Sequence, residues 1–342
     1  MSVPALQLVP ALAVLAGLVL YALSGGADYG GGMWDLLASG PRARRQRDAI
    51  EAAIAPIWEA NHVWLILVIV VLFTAFPAGF GALMTALHVP LTGVLIGVVL
   101  RGSAFAFRKY DRPDDRVHAR WSRVFGVASF LTPFFLGLCV GGVASGAIRV
   151  AAGRVTSGYL AGWTTPFAIG CGLFAQGLFA FLAATYLTAD TGSDPEVQED
   201  FRRRALASGV LLAPAAALVL ALAWLGAPRL AAQVAAAWAL PLVAATVAAA
   251  LAALLALRRR RFGAARLAAA ATVALIVVGW ARAQFPYLIV PDVTFTASAT
   301  APSTLRALTG ALAAGALLLF PCFAYLFHVF KRRSAAPARG TH

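Results

Sequence analysis

The sequence predicts an all-α integral membrane protein, and three observations support that prediction. Of its 342 residues 61% are hydrophobic and 12% are charged, whereas soluble domains carry about 25% charged residues. Apolar stretches long enough to cross a bilayer recur from one end of the chain to the other. Lys and Arg are concentrated in alternate connections between these stretches. Residues 1–342 are therefore predicted to form a single polytopic membrane domain.

The apolar stretches predict nine transmembrane helices, because each span needs about 20 predominantly apolar residues. The predicted spans are 5–24, 54–76, 78–101, 122–147, 163–188, 204–227, 233–257, 264–284 and 306–330. The glycine-rich stretch 25–32 predicts a tight turn after the first span, since glycine readily adopts positive φ. Residues 76–79, Phe-Pro-Ala-Gly, predict a tight hairpin between spans two and three. Two prolines within 284–292 exclude a regular helix and predict an interfacial or re-entrant cap.

The basic residues predict the orientation of the chain. In the nine-span arrangement, 23 of the 28 Lys and Arg residues fall on the side that holds the C-terminus. Cytoplasmic connections carry the excess of basic residues, so the N-terminus is predicted outside and the C-terminus in the cytoplasm. The net charge of +14 is then explained by topology and by contact with lipid phosphates, and no nucleic-acid partner is implied.

The stretch 58–64, Trp-Glu-Ala-Asn-His-Val-Trp, carries the main candidate functional residues. It places the carboxylate of Glu59 and the imidazole of His62 where a long uncharged stretch begins. A carboxylate close to hydrocarbon must be paired, hydrated or protonated, which makes Glu59 a functional candidate. Because Glu59 and His62 are three residues apart, a helix places them on one face.

Asp28 and Arg101 are predicted to lie near Glu59. Asp28 follows the first span, Glu59 opens the second and Arg101 ends the third, all on the cytoplasmic side. Two interpretations remain open. In the first, Arg101 holds Glu59 ionised or competes with it for a proton. In the second, the residues form an interfacial salt bridge that only anchors the helix hairpin.

No metal, haem or nucleotide site is predicted in this chain. The three cysteines lie in apolar stretches at unrelated spacings. No two of the five histidines show a spacing typical of metal or haem ligands. The glycine-rich stretch follows no strand and lacks the Gly-Lys-Ser/Thr ending of a phosphate-binding loop.

Six motifs, in order along the chain, resemble subunit II of the cytochrome bd-type quinol oxidases. They are Gly-Ala-Asp-Tyr-Gly (26–30), Pro-Ile-Trp-Glu-Ala-Asn-His-Val-Trp-Leu-Ile (56–66), Phe-Pro-Ala-Gly-Phe (76–80), Leu-Arg-Gly-Ser-Ala-Phe-Ala-Phe-Arg (100–108), Ala-Thr-Tyr-Leu (184–187) and Phe-Pro-Tyr-Leu (285–288). The second motif is the most specific, and the six are distributed over nearly the whole chain.

The resemblance implies two four-helix bundles plus one peripheral helix in a bacterial plasma membrane. It implies a partner, the haem-bearing subunit I, which holds haems b and d and the quinol site, so that this chain carries no redox cofactor. The complex oxidises quinol, reduces oxygen to water and takes up cytoplasmic protons. In the family, an acid at the position of Glu59 lies on the proton path, and Asp28 and Arg101 also match family positions. Whether a quinone binds here, or a small accessory subunit joins, stays open.

Two other classes of function remain at this point. A proton-coupled transporter or channel also uses an acid near a histidine within the membrane, although the two halves of this chain show no convincing repeat. A purely structural assembly subunit would use its acids only to anchor helices. In a complex, the small residues Gly137, Gly141 and Gly142 are predicted to permit close contact with the partner.

Overall fold

The computed structural model describes residues 5–55, 58–110 and 116–334, and the side chain of Glu59 lies outside that description. The described chain is almost entirely helical. In order, its elements are α1 (Ala5–Leu36), α2 (Ala43–Ile54), α3 (Trp58–Ala75), α4 (Pro77–Ala86), α5 (His88–Tyr110), α6 (Arg116–Ala144), β1 (Val150–Ala151), β2 (Arg154–Val155), α7 (Pro166–Asp190), α8 (Pro195–Gly226), α9 (Pro228–Ala235), a 3₁₀ turn (Ala237–Ala239), α10 (Leu240–Arg258), α11 (Phe262–Gln284), β3 (Tyr287–Ile289), β4 (Val293–Thr294), α12 (Phe295–Ser298) and α13 (Pro302–Ser334).

Within these described ranges, eight helical segments are long and apolar enough to cross a membrane. They are Leu6–Leu36, His88–Arg108, Ala119–Ala144, Pro166–Asp190, Pro195–Gly226, Ala237–Arg258, Phe262–Gln284 and Pro302–Leu319. A shorter apolar segment, Asn61–Ala75, lies in α3. The predicted class, an all-helical membrane protein, is confirmed. The division into two four-helix bundles plus a peripheral helix stays a prediction.

Helix α1 is longer than predicted, because the glycine-rich stretch 25–32 is helical and not a turn. Its glycines serve close packing: a Cβ at Gly30 would overlap the backbone oxygen of Phe179 in α7, and one at Gly32 would overlap Oγ of Ser129 in α6. Helix α1 contacts α3, α6, α7, α11 and α13, and the largest buried apolar cluster includes residues of α1, α7 and α11. Asp28 therefore lies inside a central helix, whereas the sequence predicted that it follows the end of the first span.

The predicted third span, 78–101, consists of two helices. Helix α4 ends at Ala86, and α5 begins at His88 and continues to Tyr110. Pro90 marks the new start, since proline fits the first turn of a helix, where its missing N–H would have no partner. The four-residue hairpin predicted at 76–79 is therefore wrong, and α4 connects α3 to α5. Arg101 lies in the middle of α5, whereas the sequence predicted that it ends the third span.

Other helix ends follow capping residues. The side chain of Asp194 accepts a hydrogen bond from the backbone N–H of Val197 and starts α8 before the predicted start at residue 204. Thr165 accepts from the N–H of Ala168 in the same way and starts α7. Much of the charged stretch 190–204, predicted as a loop, is therefore the first part of α8.

The segment 284–292 is held by strand pairing and by an ion pair. Strands β3 and β4 are antiparallel, and the N–H of Val290 donates to the backbone oxygen of Val143 at 3.0 Å. Arg149 donates to the carboxylate of Asp292 at 2.8 and 3.1 Å, and these hydrogen bonds hold the pKa of Asp292 below its usual value. The segment is non-helical, as its prolines predict, and it is a strand hairpin packed against the end of α6.

The glycines predicted to face a partner pack inside this chain instead. A Cβ at Gly137 would lie 2.5 Å from the backbone oxygen of Cys171, and one at Gly141 would lie 2.5 Å from Cα of Ala168. Both contacts belong to the interface of α6 with α7. Gly142 is also buried within the chain. That prediction is wrong, because the small residues already bring two helices of the same subunit together.

Candidate functional site

Asp28 and Arg101 form a buried ion pair between α1 and α5. Nη2 of Arg101 donates to Oδ1 of Asp28 and, at 3.3 Å, to the backbone oxygen of the same residue. Nε of Arg101 donates to Oγ of Ser129 at 3.1 Å. The side chains of Asp28 and Arg101 are 0% and 1% exposed. The predicted meeting of these two residues is therefore confirmed, although it occurs deep between helices and not at their ends.

The surroundings of this pair compensate its charges only in part. The guanidinium carbon of Arg101 lies 5.0 Å from the ring centre of Tyr29 and 4.9 Å from that of Phe125, which favours a cation. Oδ2 of Asp28 and Nη1 of Arg101 are buried and have no hydrogen-bond partner among the described residues. Buried polar atoms of this kind are usually served by ordered water, and of the two only Oδ2 of Asp28 can also take up a proton.

A second buried ion pair, which the sequence analysis missed, repeats the first one two helical turns further along. Arg108 donates to the two carboxylate oxygens of Asp35 at 3.2 and 3.3 Å, and these side chains are 5% and 2% exposed. Nη2 of Arg108 also lies 3.4 Å from Oε2 of Glu51 in α2. In both pairs the acid precedes its arginine by 73 residues, so this part of α1 runs parallel to α5. The signal in the sequence is the seven-residue spacing of acids on α1 and of arginines on α5.

The start of α3 lies beside α5, close to Arg101. The indole of Trp58 packs against Phe105 with ring centres 5.2 Å apart, and it lies 3.4 Å from the position of a Cβ at Gly102. The backbone of residue 59 therefore enters the fold next to the α5 turn that follows Arg101. The side chain of Glu59 lies outside the described residues, so its contacts stay a prediction.

His62 lies one turn beyond Trp58 on the same helix. Its Nδ1 is 3.1 Å from the backbone oxygen of Trp58, and its Nε2 is buried without a partner in the part of the chain that the structure describes. Asn61 is 2% exposed, and its Nδ2 is unpaired in the same sense. The helical backbone from Trp58 to Ala75 places positions 59 and 62 on one face, as the sequence predicts.

The described side chains form no metal site. No group of three or more His, Cys, Asp or Glu residues lies together among them. His88 is exposed at the start of α5, where its Nδ1 lies 2.9 Å from the backbone oxygen of Thr85 and its ring contacts Tyr159.

A further set of ion pairs connects α2 to the start of α8. Arg42 donates to Asp200 at 2.7 and 2.8 Å, and Arg45 donates to Asp194 at 2.6 Å and to Glu196 at 2.7 Å. The hydrogen bonds from Arg45 hold the pKa of the Asp194 carboxyl below its usual value. These pairs are partly exposed, so each stabilises the fold only weakly. Together they hold α2, which carries Glu51, against the start of α8.

Comparison with known proteins agrees with this architecture. A family model described as cytochrome bd terminal oxidase subunit II matches residues 6–330. A putative cytochrome bd menaquinol oxidase subunit II of Bacillus subtilis is 25% identical over 334 residues, which cover 94% of this chain and 95% of that protein. A cytochrome bd-I ubiquinol oxidase subunit 2 of Escherichia coli K12 is 27% identical over 217 residues, which cover 62% of this chain and 55% of that protein.

A solved structure shares the fold. A chain of the bd oxidase from Geobacillus thermodenitrificans superposes with a TM-score of 0.80 at 21% identity, covering 95% of this chain and 98% of that chain. The match to the family extends over almost all of the described helices, including α1, α3 and α5. The chain therefore belongs to the cytochrome bd terminal oxidase subunit II family.

Proposed function

We propose that this chain supplies part of the path that carries cytoplasmic protons to the site of oxygen reduction. Family membership makes the chain subunit II of a cytochrome bd quinol oxidase, a bacterial membrane oxidoreductase, and implies subunit I as its partner. In this family the haems reside largely in subunit I. Because the chain belongs to this family, the alternative of a transporter or channel is rejected. The role of this subunit in the proton path is what we propose.

The observation that supports this role is the unpaired oxygen of a buried carboxylate. Reduction of one oxygen molecule to water takes up four protons, so the complex needs a route for protons into the membrane. Oδ2 of Asp28 is buried between helices and has no hydrogen-bond partner among the described residues, while Oδ1 is bound by Arg101. A carboxylate with one oxygen held and the other free can accept a proton and release it again.

The proposal gives each candidate residue one role. Asp28 collects a proton, and Glu59, at the start of the neighbouring α3, relays it. His62 follows on the same helix face, and its Nε2, which has no partner among the described residues, can take the proton further. Arg101 balances the charge of the acids through its contact with Asp28. Measuring oxygen consumption by the Glu59→Gln complex tests this proposal.

Subunit II, separated from the complex, is expected to carry no haem, and haems b and d are expected in subunit I. The reason is that, of the histidines with described side chains, His88 is exposed and the Nδ1 of His62 already faces a backbone oxygen. A difference spectrum of the intact complex and of each separated subunit checks this. Stoichiometric haem in separated subunit II contradicts it.

The C-terminus and the connections after predicted spans one and three are expected in the cytoplasm, with the N-terminus outside. The reason is the position of 23 of the 28 Lys and Arg residues. Reporter fusions at Ser39, at Asp114 and at the C-terminus should all report a cytoplasmic location. An external location for any one of them breaks this topology.

A further inference from the structure

We propose that Asp35, Glu51 and Arg108 form the cytoplasmic entrance of the proton path, and that protons pass from Asp35 to Asp28 beside Ser129. This inference rests on the proposed proton-path function and adds an entrance to it. The three residues of the entrance lie on α1, α2 and α5, and the sequence motifs had singled out neither Asp35 nor Glu51.

Glu51 links the solvent to the buried part of this cluster. Its side chain is 41% exposed, whereas Asp35 is 2% and Arg108 is 5% exposed. The distances from Arg108 to the two acids, 3.2, 3.3 and 3.4 Å, exceed the roughly 2.7–2.9 Å of tight charge-assisted hydrogen bonds. Two carboxylates share one guanidinium, and their mutual repulsion falls when one of them takes up a proton. The cluster is therefore suited to loading a proton from the cytoplasm.

The remaining groups around Asp35 allow the proton to leave again. Arg47 of α2 donates to the backbone oxygens of Asp35 and Ala38, at 3.4 and 2.9 Å, at the C-terminal end of α1. It places a second positive charge beside Asp35. From α6, the apolar ring of Phe125 lies 5.2 Å from the guanidinium carbon of Arg108. The described charged side chains that face Asp35 are thus those of Glu51, Arg108 and Arg47.

The route from Asp35 to Asp28 follows α1 over two turns, about 10 Å along the helix axis. On the face between them α1 carries Gly31 and Gly32. The side chain of Ile54 packs against Gly31, and the hydroxyl of Ser129 packs against Gly32. Gly32 allows Oγ of Ser129 to approach the α1 backbone closely, and the same oxygen accepts a hydrogen bond from Arg101. A fully buried hydroxyl therefore lies beside the turn that separates the two carboxylates.

Phe125 limits the route to this side. Its ring centre is 4.9 Å from the guanidinium carbon of Arg101 and 5.2 Å from that of Arg108, so the ring lies between the two cations and carries no proton itself. The polar group that contacts α1 between the two carboxylates is the hydroxyl of Ser129, at Gly32. Each carboxylate takes up one proton as it passes another on, so only O–H bonds form and break and no net charge accumulates.

The test uses the intact oxidase complex with Asp35→Asn and, separately, Glu51→Gln, and measures oxygen consumption per haem from neutral to alkaline pH. Asp35→Asn should lower turnover by about tenfold, less than the ~10² or more of a lost inner relay, because water near the surface can partly replace an entrance group. The loss should grow as pH rises, since fewer protons reach the entrance. Asp35→Glu should restore most of the turnover and the pH profile.

Glu51→Gln keeps the test decisive if Asp35→Asn fails to assemble, because Glu51 is partly exposed and its replacement leaves the buried pair intact. It should lower turnover by about threefold, with the same dependence on pH. The matched control is Asp200→Asn, which makes the same chemical change in the ion pair with Arg42. That variant should keep the wild-type turnover and pH profile.

If both Asp35→Asn and Glu51→Gln keep the wild-type turnover and pH profile, Asp35 and Glu51 do not form the entrance of the proton path. Measuring Glu59→Gln in the same series separates this failure from that of the proposed function. If only Glu59→Gln turns over slowly, the proton path is supported and the proposed entrance at Asp35 and Glu51 is wrong. If Glu59→Gln turns over normally, the proposed function itself is wrong. If both sites lie on one path, the Asp35→Asn/Glu59→Gln double variant should turn over no more slowly than the slower single variant.

Discussion

The oxidase with Glu59→Gln is expected to turn over roughly 10² times more slowly per haem than the wild type, the usual scale for a lost proton-transfer group. Glutamine keeps the shape and hydrogen-bonding capacity of glutamate but cannot ionise. Glu59→Asp keeps the acid on a shorter arm and should retain much of the activity. Oxygen consumption of the purified variants, divided by haem content, gives the comparison, because this ratio removes differences in assembly.

The alternative, in which Glu59 only anchors α3 through Arg101, leads to a different result. Both variants would then assemble poorly, and the Gln complex, once isolated, would turn over normally. The donor that this alternative would use is Nη1 of Arg101, which has no partner among the described residues, since Nη2 and Nε already bind Asp28 and Ser129. Near wild-type turnover per haem for Glu59→Gln would end its assignment to the proton path.

Asp28→Asn is expected to destabilise the subunit by about 3–5 kcal/mol, because it leaves the guanidinium of Arg101 buried without a counter-charge. That loss is a large share of the roughly 5–15 kcal/mol by which proteins are usually stable. The measurement is the thermal unfolding midpoint and the yield of haem-containing complex. A matched control is Asp190→Asn, since Asp190 and its partner Arg266 are 37% and 44% exposed and such a pair contributes about 1 kcal/mol or less.

A second variant separates the structural role of Asp28 from its role in proton transfer. Asp28→Asn/Arg101→Gln removes both charges, and replacing a whole buried pair by neutral groups is often nearly neutral for stability. The double variant should therefore recover much of the yield and midpoint but not the turnover. Recovery of turnover along with stability would show that Asp28 acts only as a structural partner of Arg101.

The apolar helices could be predicted from the sequence, because hydrophobic length is a local property. The end of α1 could not. Glycine in a helix costs about 1 kcal/mol relative to alanine, which favoured a turn at residues 25–32. The helix continues because Phe179 and Ser129 pack against Gly30 and Gly32, and these tertiary contacts are not visible in the sequence.

The errors at helix ends also explain which part of the site was missed. With the first span ended at residue 24, Asp35 belonged to a loop and had no reason to meet an arginine. With Pro90 placed inside a span instead of at a helix start, Arg101 ended the third span and Arg108 lay beyond it. The predicted orientation placed Asp28 and Arg101 on one side of the membrane and so predicted their contact. The repeat of that contact at Asp35 and Arg108 follows only once both helices have their true lengths.

The constant separation of 73 residues between each acid and its arginine has a consequence for biosynthesis. At about 5–20 residues per second, the ribosome completes each acid roughly 4 to 15 seconds before the matching arginine. During that interval α1 carries two carboxylates that have not met their cations, and acids in lipid without a partner stay neutral or at the water boundary. The arrival of α5 then supplies both cations at once, seven residues apart. The N-terminal helices are thus committed to their final positions when α5 enters the membrane, and not when α1 does.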